Sequence, residues 1–248
     1  MRKQKLLIGW PIQDSKRYRF AIPNKIWDYK LKPIAFMIFS YLSYCYSNHP
    51  ADAVSLDDIA KGVCVTISTA KKYLSALANR ELVSADQSLT FTLQCRSGEK
   101  FFTLPNEIFL LKLPPSAFIV YAYLLLIEDR KTHTCHPSYN TISTATSMSK
   151  NTALKSIGVL LETGLIAVEP SSYFDRYGMK WKGNNLYTIL PVKSAVDMFH
   201  QRQLQQLDLT ADQMHIRKCQ ENHTHSHPRK ALYAAPEAGT TPDPPSVA

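Results

Sequence analysis

The apolar and polar positions of this chain follow a pattern that occurs twice. Phe20-Ala21-Ile22-Pro23-Asn24-Lys25-Ile26-Trp27 is echoed 82 positions on by Phe102-Thr103-Leu104-Pro105-Asn106-Glu107-Ile108-Phe109. The same offset links Leu31 with Leu113, Pro33 with Pro115, Ala35 with Ala117, Phe36 with Phe118, Tyr41 with Tyr123 and Leu42 with Leu124. One inserted residue then moves it to 83. That offset joins Ile59 to Ile142, Val65 to Met148, Ala70 to Ala153, Leu74 to Ile157, Leu77 to Leu160, Leu82 to Leu165 and Val83 to Ile166. Similarity at a fixed period is the mark of a duplicated supersecondary unit.

Each copy predicts the same elements. A short strand (19–22, 101–104) leads into Pro-Asn. A first helix follows (33–46, 116–128), apolar nearly all round and therefore buried. The second helix starts at a capping serine: Ser55, with Asp58 three residues on in a capping box, or Ser138. The third helix is amphipathic. Thr66 caps the first of these, with Ala70, Leu74 and Leu77 at i, i+4 and i+7 on its inner face. Ser68, Thr69, Lys71, Lys72 and Ser75 lie on or beside the other face. Ser149 caps the second, with Ala153, Ile157 and Leu160 inward. Lys150, Asn151, Thr152, Lys155 and Ser156 lie towards the open side, and Gly164 ends the helix.

Both copies then read as hairpins. The second has a long tip carrying Arg176, Tyr177, Lys180, Trp181 and Lys182. The first has a smaller tip with Arg96, Ser97, Gly98 and Lys100, where the glycine signals a turn. Beyond residue 193 the pattern changes. A helix is predicted over 194–207, and Thr210 with Gln213 suggests a capping box opening a second short helix to 218. From about 222 the Pro-, Ala- and Thr-rich composition predicts disorder.

The fold class is thus α+β and mainly α, with two tandem units of three helices and a small β-hairpin each; the resemblance that follows implies that they are two tandem winged helix-turn-helix domains. The predicted limits are a basic arm (1–18), domain one (19–100), domain two (101–192), C-terminal helices (193–221) and a tail (222–248). The stretch Met148 to Lys155, with the exit Leu160-Leu161-Glu162-Thr163-Gly164-Leu165-Ile166, is similar to the turn, recognition helix and exit of the winged helix-turn-helix superfamily. Residues 102–106, the helix 117–126 and this exit resemble winged-helix regions of replication initiators and replisome organisers of Gram-positive plasmids, phages and integrative elements. The resemblance spans roughly 19–190, and the first copy departs from it at Glu81, where a glycine is expected. It implies that the third helices (about 66–78 and 149–163) enter the major groove, with Ser68, Thr69 and Lys72 matching Asn151, Thr152 and Lys155. Arg176, Lys180 and Lys182 would be wing residues touching phosphates or the minor groove.

Composition agrees with a polyanionic partner. The formal charge is +9 and the pI about 9.2, which favours nucleic acid or an acidic surface. Capped helix starts present N–H groups to phosphate, Asn pairs with adenine, and Lys reaches guanine or phosphate. Neither a dinucleotide-binding nor a phosphate-loop glycine motif occurs. The five cysteines are odd in number and form no C-x-x-C, as expected of reduced thiols. Leu6-Leu7-Ile8-Gly9-Trp10 is too short for a signal peptide and is followed by Pro11. Pro114-Pro115 interrupts the apolar run 108–127, which excludes a membrane span.

Cys219 with His223, His225 and His227 reads as a solvated tail rather than a metal site. No nucleophile motif is present, and Asp57-Asp58 reads as helix-start charge. The expectation is a cytoplasmic bacterial protein, nucleoid- or plasmid-associated, with double-stranded DNA as partner, no cofactor, no metal and no enzymatic activity. It would act in replication initiation of a mobile element or in transcription regulation. The C-terminal helices would dock on the second wing, dimerise, or hold a replication or transcription protein. The competing class is a protein-interaction module using the same scaffold.

Overall fold

A computed structural model of the chain describes residues 18–48, 54–85, 90–93 and 100–224. Its elements are β1 (Arg19–Pro23), a 3-10 turn (Asn24–Tyr29), α1 (Pro33–Asn48), β2 (Val54–Ser55), α2 (Leu56–Gly62), α3 (Ile67–Ala78), β3 (Val83–Ala85) and β4 (Thr90–Leu93). Then come β5 (Phe101–Pro105), a 3-10 turn (Asn106–Leu111), α4 (Pro115–Ile127), β6 (Thr134–Cys135), α5 (Tyr139–Thr146), α6 (Lys150–Glu162), β7 (Ile166–Glu169), β8 (Ser172–Phe174), β9 (Lys180–Lys182), β10 (Leu186–Ile189) and α7 (Val192–Thr224). The fold is mainly α with small antiparallel sheets. Two sheets have three strands each, in the orders β2-β4-β3 and β6-β10-β7; the pairs β1-β5 and β8-β9 complete the set.

Among the described residues, those up to Gln201 form one compact unit and Arg202–Thr224 a second. The core of the first is built on α1 and α4, whose residues Ala35–Ser43 and Ala117–Ala122 are all buried. This is why both helices read as apolar all round: each is covered on every side by α2 and α3, by α5 and α6, or by the other. The serines inside α1 satisfy themselves locally. Ser40 and Ser43 donate to the carbonyls of Phe36 and Phe39 at 2.8 and 3.0 Å.

Several contacts between the two halves of this unit are reciprocal. β1 and β5 pair antiparallel in the register Phe20↔Leu104, Ala21↔Thr103, Ile22↔Phe102. At the offset of 82, Phe20 corresponds to Phe102, Ala21 to Thr103 and Ile22 to Leu104, so exchanging the halves returns the same register. Asn24 N–H donates to the Lys100 carbonyl at 2.8 Å, and Asn106 N–H donates to the Tyr18 carbonyl at 3.0 Å. Trp27 meets Tyr123 edge-on at 5.5 Å, and Phe109 meets Tyr41 edge-on at 5.3 Å. Phe36 and Phe118, which correspond to each other, touch at 6.2 Å. The left-handed backbone positions recur likewise: Lys30 and Lys112, Cys64 and Ser147, Glu81 and Gly164.

The last of these pairs yields a test. Gly164 (φ +72°) closes α6 with Gly164 N–H on the Leu161 carbonyl and Leu165 N–H on the Leu160 carbonyl, both at 3.0 Å. Glu81 (φ +57°) closes α3 in the same way, through the carbonyls of Ala78 and Leu77 at 2.9 and 3.1 Å. The motif wants a residue without Cβ at that place. Glu81→Gly is therefore expected to stabilise the protein by about 0.5–1 kcal/mol, read as a raised urea midpoint with an unchanged slope. A lowered midpoint would show that the Glu81 side chain contributes more than its backbone costs.

Several sequence expectations need correction. β3 and β4 pair as Val83↔Leu93 and Ala85↔Phe91, so the first hairpin turns between 85 and 90. Arg96, Ser97 and Gly98 fall after it, between β4 and β5, and lie outside the described residues. Asp58 does not complete a capping box: its N–H donates to Ser55 Oγ at 3.2 Å, but its carboxylate takes the Ser55 hydroxyl at 2.6 Å instead of a backbone N–H. The segment after 192 is one helix, not two. Thr210 Oγ1 bonds back to the Gln206 carbonyl at 2.7 Å inside it, and no Gly or Pro stands between Val192 and Thr224 to end it. The helix also carries residues 222–224, which composition assigned to the tail; residues 225–248 lie outside the described residues.

The thiols differ in environment. Burial pushes the Cys45 thiol up to about 11 and the Cys135 thiol up to about 12, while Cys64 is exposed. Iodoacetamide at pH 8 is expected to label Cys64 well before Cys45 or Cys135, because only the thiolate reacts. Peptide mapping by mass spectrometry checks it, and early labelling of Cys135 would contradict the packing around β6.

Candidate nucleic-acid interface

α2 and α3, and α5 and α6, are each joined by a tight turn through one left-handed residue. In the first, Cys64 has φ +55°, and Val65 N–H returns to the Ala60 carbonyl at 2.9 Å. In the second, Ser147 has φ +53°, and Met148 N–H returns to the Ser143 carbonyl at 3.1 Å. Ser143 Oγ in turn donates to the Met148 carbonyl at 2.6 Å. These bonds fix where the third helix starts.

Both starts are capped as the sequence indicates. Thr66 Oγ1 accepts from Thr69 N–H, and Ser149 Oγ accepts from Thr152 N–H, each at 3.2 Å. The Thr69 and Thr152 hydroxyls sit 2.8 Å from their capping oxygens. Both threonines are thus half-buried parts of the cap, with their polar atoms already engaged.

The other positions separate cleanly. Ser68, Lys71, Lys72 and Ser75 of α3 are exposed, as are Lys150, Asn151 and Lys155 of α6. Ser75 Oγ bonds to the Lys71 carbonyl at 3.0 Å. Lys72 Nζ stands 5.9 Å from the Tyr73 ring centre. It borders a cleft of about 180 Å³ between α3 and the start of α1, lined also by Lys32 and Arg80. Arg80 is tied there by a 2.5 Å bond to the Tyr29 carbonyl.

Ser156 is a correction. It is 2% exposed and its Oγ has no partner, so it faces the core beside Ile157 rather than the open side. Two positions round the helix from Leu154, it falls where Tyr73 stands in α3 (offset 83). An unpaired buried hydroxyl costs free energy. Ser156→Ala is expected to raise stability by about 1 kcal/mol in chemical denaturation and to leave nucleic-acid affinity unchanged; a loss of affinity would return Ser156 to the interface.

The exposed face of α6 also holds residues that a search for polar side chains passes over. Leu154 is 49% and Leu161 43% exposed, and a Cβ on Gly158 would meet nothing within 4 Å. Their counterparts on α3 are Lys71, Ala78 and Ser75. The two faces therefore differ position by position, the apolar residue at the start of α3 being Ile67, 52% exposed, where α6 has Lys150. Leu154 stands between Asn151 and Lys155, off the Ala153-Ile157-Leu160 stripe.

The second hairpin is organised by Asp175. Its carboxylate accepts from the Tyr177 and Met179 N–H groups and from Trp181 Nε1, all at 2.9 Å. The Trp181 indole first, and then the backbone donors, hold its carboxyl below the usual carboxylate range. Gly178 takes φ +78° at the turn. Arg176 lies over the Tyr177 ring at 4.8 Å, a cation–π contact. Arg176 and Lys180 are exposed, together with Phe174, Tyr177, Met179 and Trp181. Tyr177 and Trp181 each hold one intramolecular partner, yet neither ring is packed away. The Lys182 and Cys219 side chains, the imidazole of His223, and all of His225 and His227 lie outside the described residues. Among the described residues no three His, Cys, Asp or Glu side chains cluster in a way that could hold a metal ion, and no helix is long and apolar enough to cross a membrane.

Residues 111–166 match the family model described as a helix-turn-helix domain. The match covers α4, α5 and α6 with the turn between the last two, so this part of the chain carries a helix-turn-helix, a motif that serves DNA binding. No curated protein matches the chain. Among solved structures, a "possible transcriptional regulator" from Methanosarcina mazei is 16% identical over 48% of this chain and 94% of that one, with a TM-score of 0.30. An "IcIR transcriptional regulator" from Alicyclobacillus acidocaldarius is 11% identical over 67% and 93%, with a TM-score of 0.22. Both scores fall below the level of a shared overall fold.

Proposed function

We propose that the chain is a non-enzymatic, sequence-specific binder of double-stranded DNA, with α3 and α6 as two recognition helices and the β8–β9 hairpin as a wing. The observation that carries this is the helix-turn-helix geometry of α5 and α6, whose capped N-terminus sets Lys150, Asn151 and Lys155 side by side on an open face. The +9 charge supports it, because neutralised phosphates release counterions and dominate affinity. Support for a second recognition helix comes from α2 and α3, which repeat the turn, the cap and the C-terminal closure. Resemblance of 102–106, 117–126 and 160–166 to replication initiators makes initiation on a mobile element the process proposed; control of transcription is the other process such a module serves.

The test is titration of the full chain with labelled random duplex DNA across a salt series, read by fluorescence anisotropy. Log affinity should fall linearly with log salt, by about 0.9 for each phosphate neutralised. Selection from a random pool should then enrich a sequence motif. Absence of binding at micromolar protein and physiological salt would overturn the reading and favour a protein-docking role for the same helices.

A further inference from the structure

We infer that the DNA site is an inverted pair of dissimilar half-sites, read by one chain acting as its own dimer. This rests on the DNA-binding reading above and adds an orientation that the sequence alone does not contain. Copies arranged head to tail would favour direct repeats, whereas copies related by a two-fold axis favour inverted ones.

The backbone and core contacts between the halves are mirrored, while side-chain contacts such as Arg19 to Thr103 and Asn106 to Asn48 are made by one half only. The β1–β5 register is unchanged when the halves are exchanged, with Ala21 opposite its own counterpart Thr103. Asn24 to Lys100 is matched by Asn106 to Tyr18. Trp27 on Tyr123 is matched by Phe109 on Tyr41, at 5.5 and 5.3 Å. Phe36 rests on its counterpart Phe118, as a residue lying on a two-fold axis must. A head-to-tail contact would join two different surfaces and produce no such pairs. An axis passing between Ala21 and Thr103 and between Phe36 and Phe118 relates α1 to α4. Because α3 packs on α1 as α6 packs on α4, the same axis relates α3 to α6. The two third helices then run in opposite senses along one duplex.

The half-sites differ because the two faces differ. Ser68, Lys71 and Ser75 stand on α3 where Asn151, Leu154 and Gly158 stand on α6. Asn151 suits adenine, and Leu154 suits the thymine methyl group. Lys71 suits guanine or phosphate.

The experiment uses the full chain and the motif enriched from a random duplex pool. The two half-sites are then presented as found, with one inverted in place, and singly. The enriched motif is expected to carry half-sites on opposite strands, and reversing one half is expected to weaken binding by about tenfold or more, since several base contacts are lost together. A triple variant, Asn151→Ser, Leu154→Lys and Gly158→Ser, gives α6 the α3 residues at these three positions, and a Cβ on Gly158 meets nothing within 4 Å. Its enriched motif is expected to become more nearly palindromic. Circular dichroism and the urea midpoint confirm that the variant folds. Enrichment of direct repeats, or a single half-site bound as tightly as the pair, overturns the inference while leaving DNA binding intact. Failure to bind any duplex overturns the DNA-binding reading itself.

Discussion

Gly62→Ala is expected to lower the stability of the protein by about 1–2 kcal/mol, although alanine is the better helix former. Gly62 closes α2, and a Cβ there would stand 2.1, 2.3 and 2.5 Å from the Tyr41 atoms Cζ, Cε2 and Oη. The ring cannot swing away. Tyr41 is 5% exposed, packed edge-on against Phe109 and tilted against Tyr44, and burial drives its hydroxyl well above the usual phenol range. Overpacking of this kind typically costs about 1–3 kcal/mol, against about 1 kcal/mol gained from helix propensity. Gly158→Ala is the control of opposite sign. It sits in α6 with open space around it, so propensity alone decides, and stability should rise by about 0.5–1 kcal/mol. Urea unfolding of the two variants beside the parent settles both. An equal rise of both would mean that Tyr41 repacks freely and that the α1–α2 contact is looser than it stands.

That glycine shows where reading a sequence stops. The apolar stripes at Ala70, Leu74 and Leu77 and at Ala153, Ile157 and Leu160 were legible because helical period and burial are the same fact seen twice. The caps at Ser55, Thr66, Ser138 and Ser149 were legible because a short oxygen-bearing side chain at that position has one local use. All of them hold in the structure. Ser156 was misplaced because a serine carries no sign of which way it faces. On a helix of 3.6 residues per turn it lies within reach of both stripes, and packing alone decides. Leu154 was missed for the converse reason, since a leucine is taken as core until a structure leaves it outside. Thr210 looked like a cap because its pattern is the same whether a helix starts there or runs on. The reciprocal contacts of Phe36 with Phe118 and of β1 with β5 are long-range. Periodicity announced two similar pieces and was silent on how they meet.

The charge on the two third helices carries the second large effect. Lys71, Lys72, Lys150 and Lys155 are all exposed, so replacing them by alanine should leave the fold intact while removing four cations from the proposed interface. If each neutralises about one phosphate, the log–log salt slope falls by about 3–4. Affinity near physiological salt then drops by about a hundredfold or more. The pairs separate further. Lys150 and Lys155 flank Asn151 on an open face, so their loss should account for the larger share. Lys72 stands beside Tyr73 at the edge of the cleft that Arg80 shares, so the Lys71–Lys72 pair should give the smaller drop. Arginine at all four positions keeps the charge and should keep the slope, even where it alters which sequence is preferred. Anisotropy titrations at several salt concentrations read all of these at once. An unchanged slope in the fourfold alanine variant, with its unfolding midpoint also unchanged, would place the phosphate contacts elsewhere and remove α3 and α6 as recognition helices.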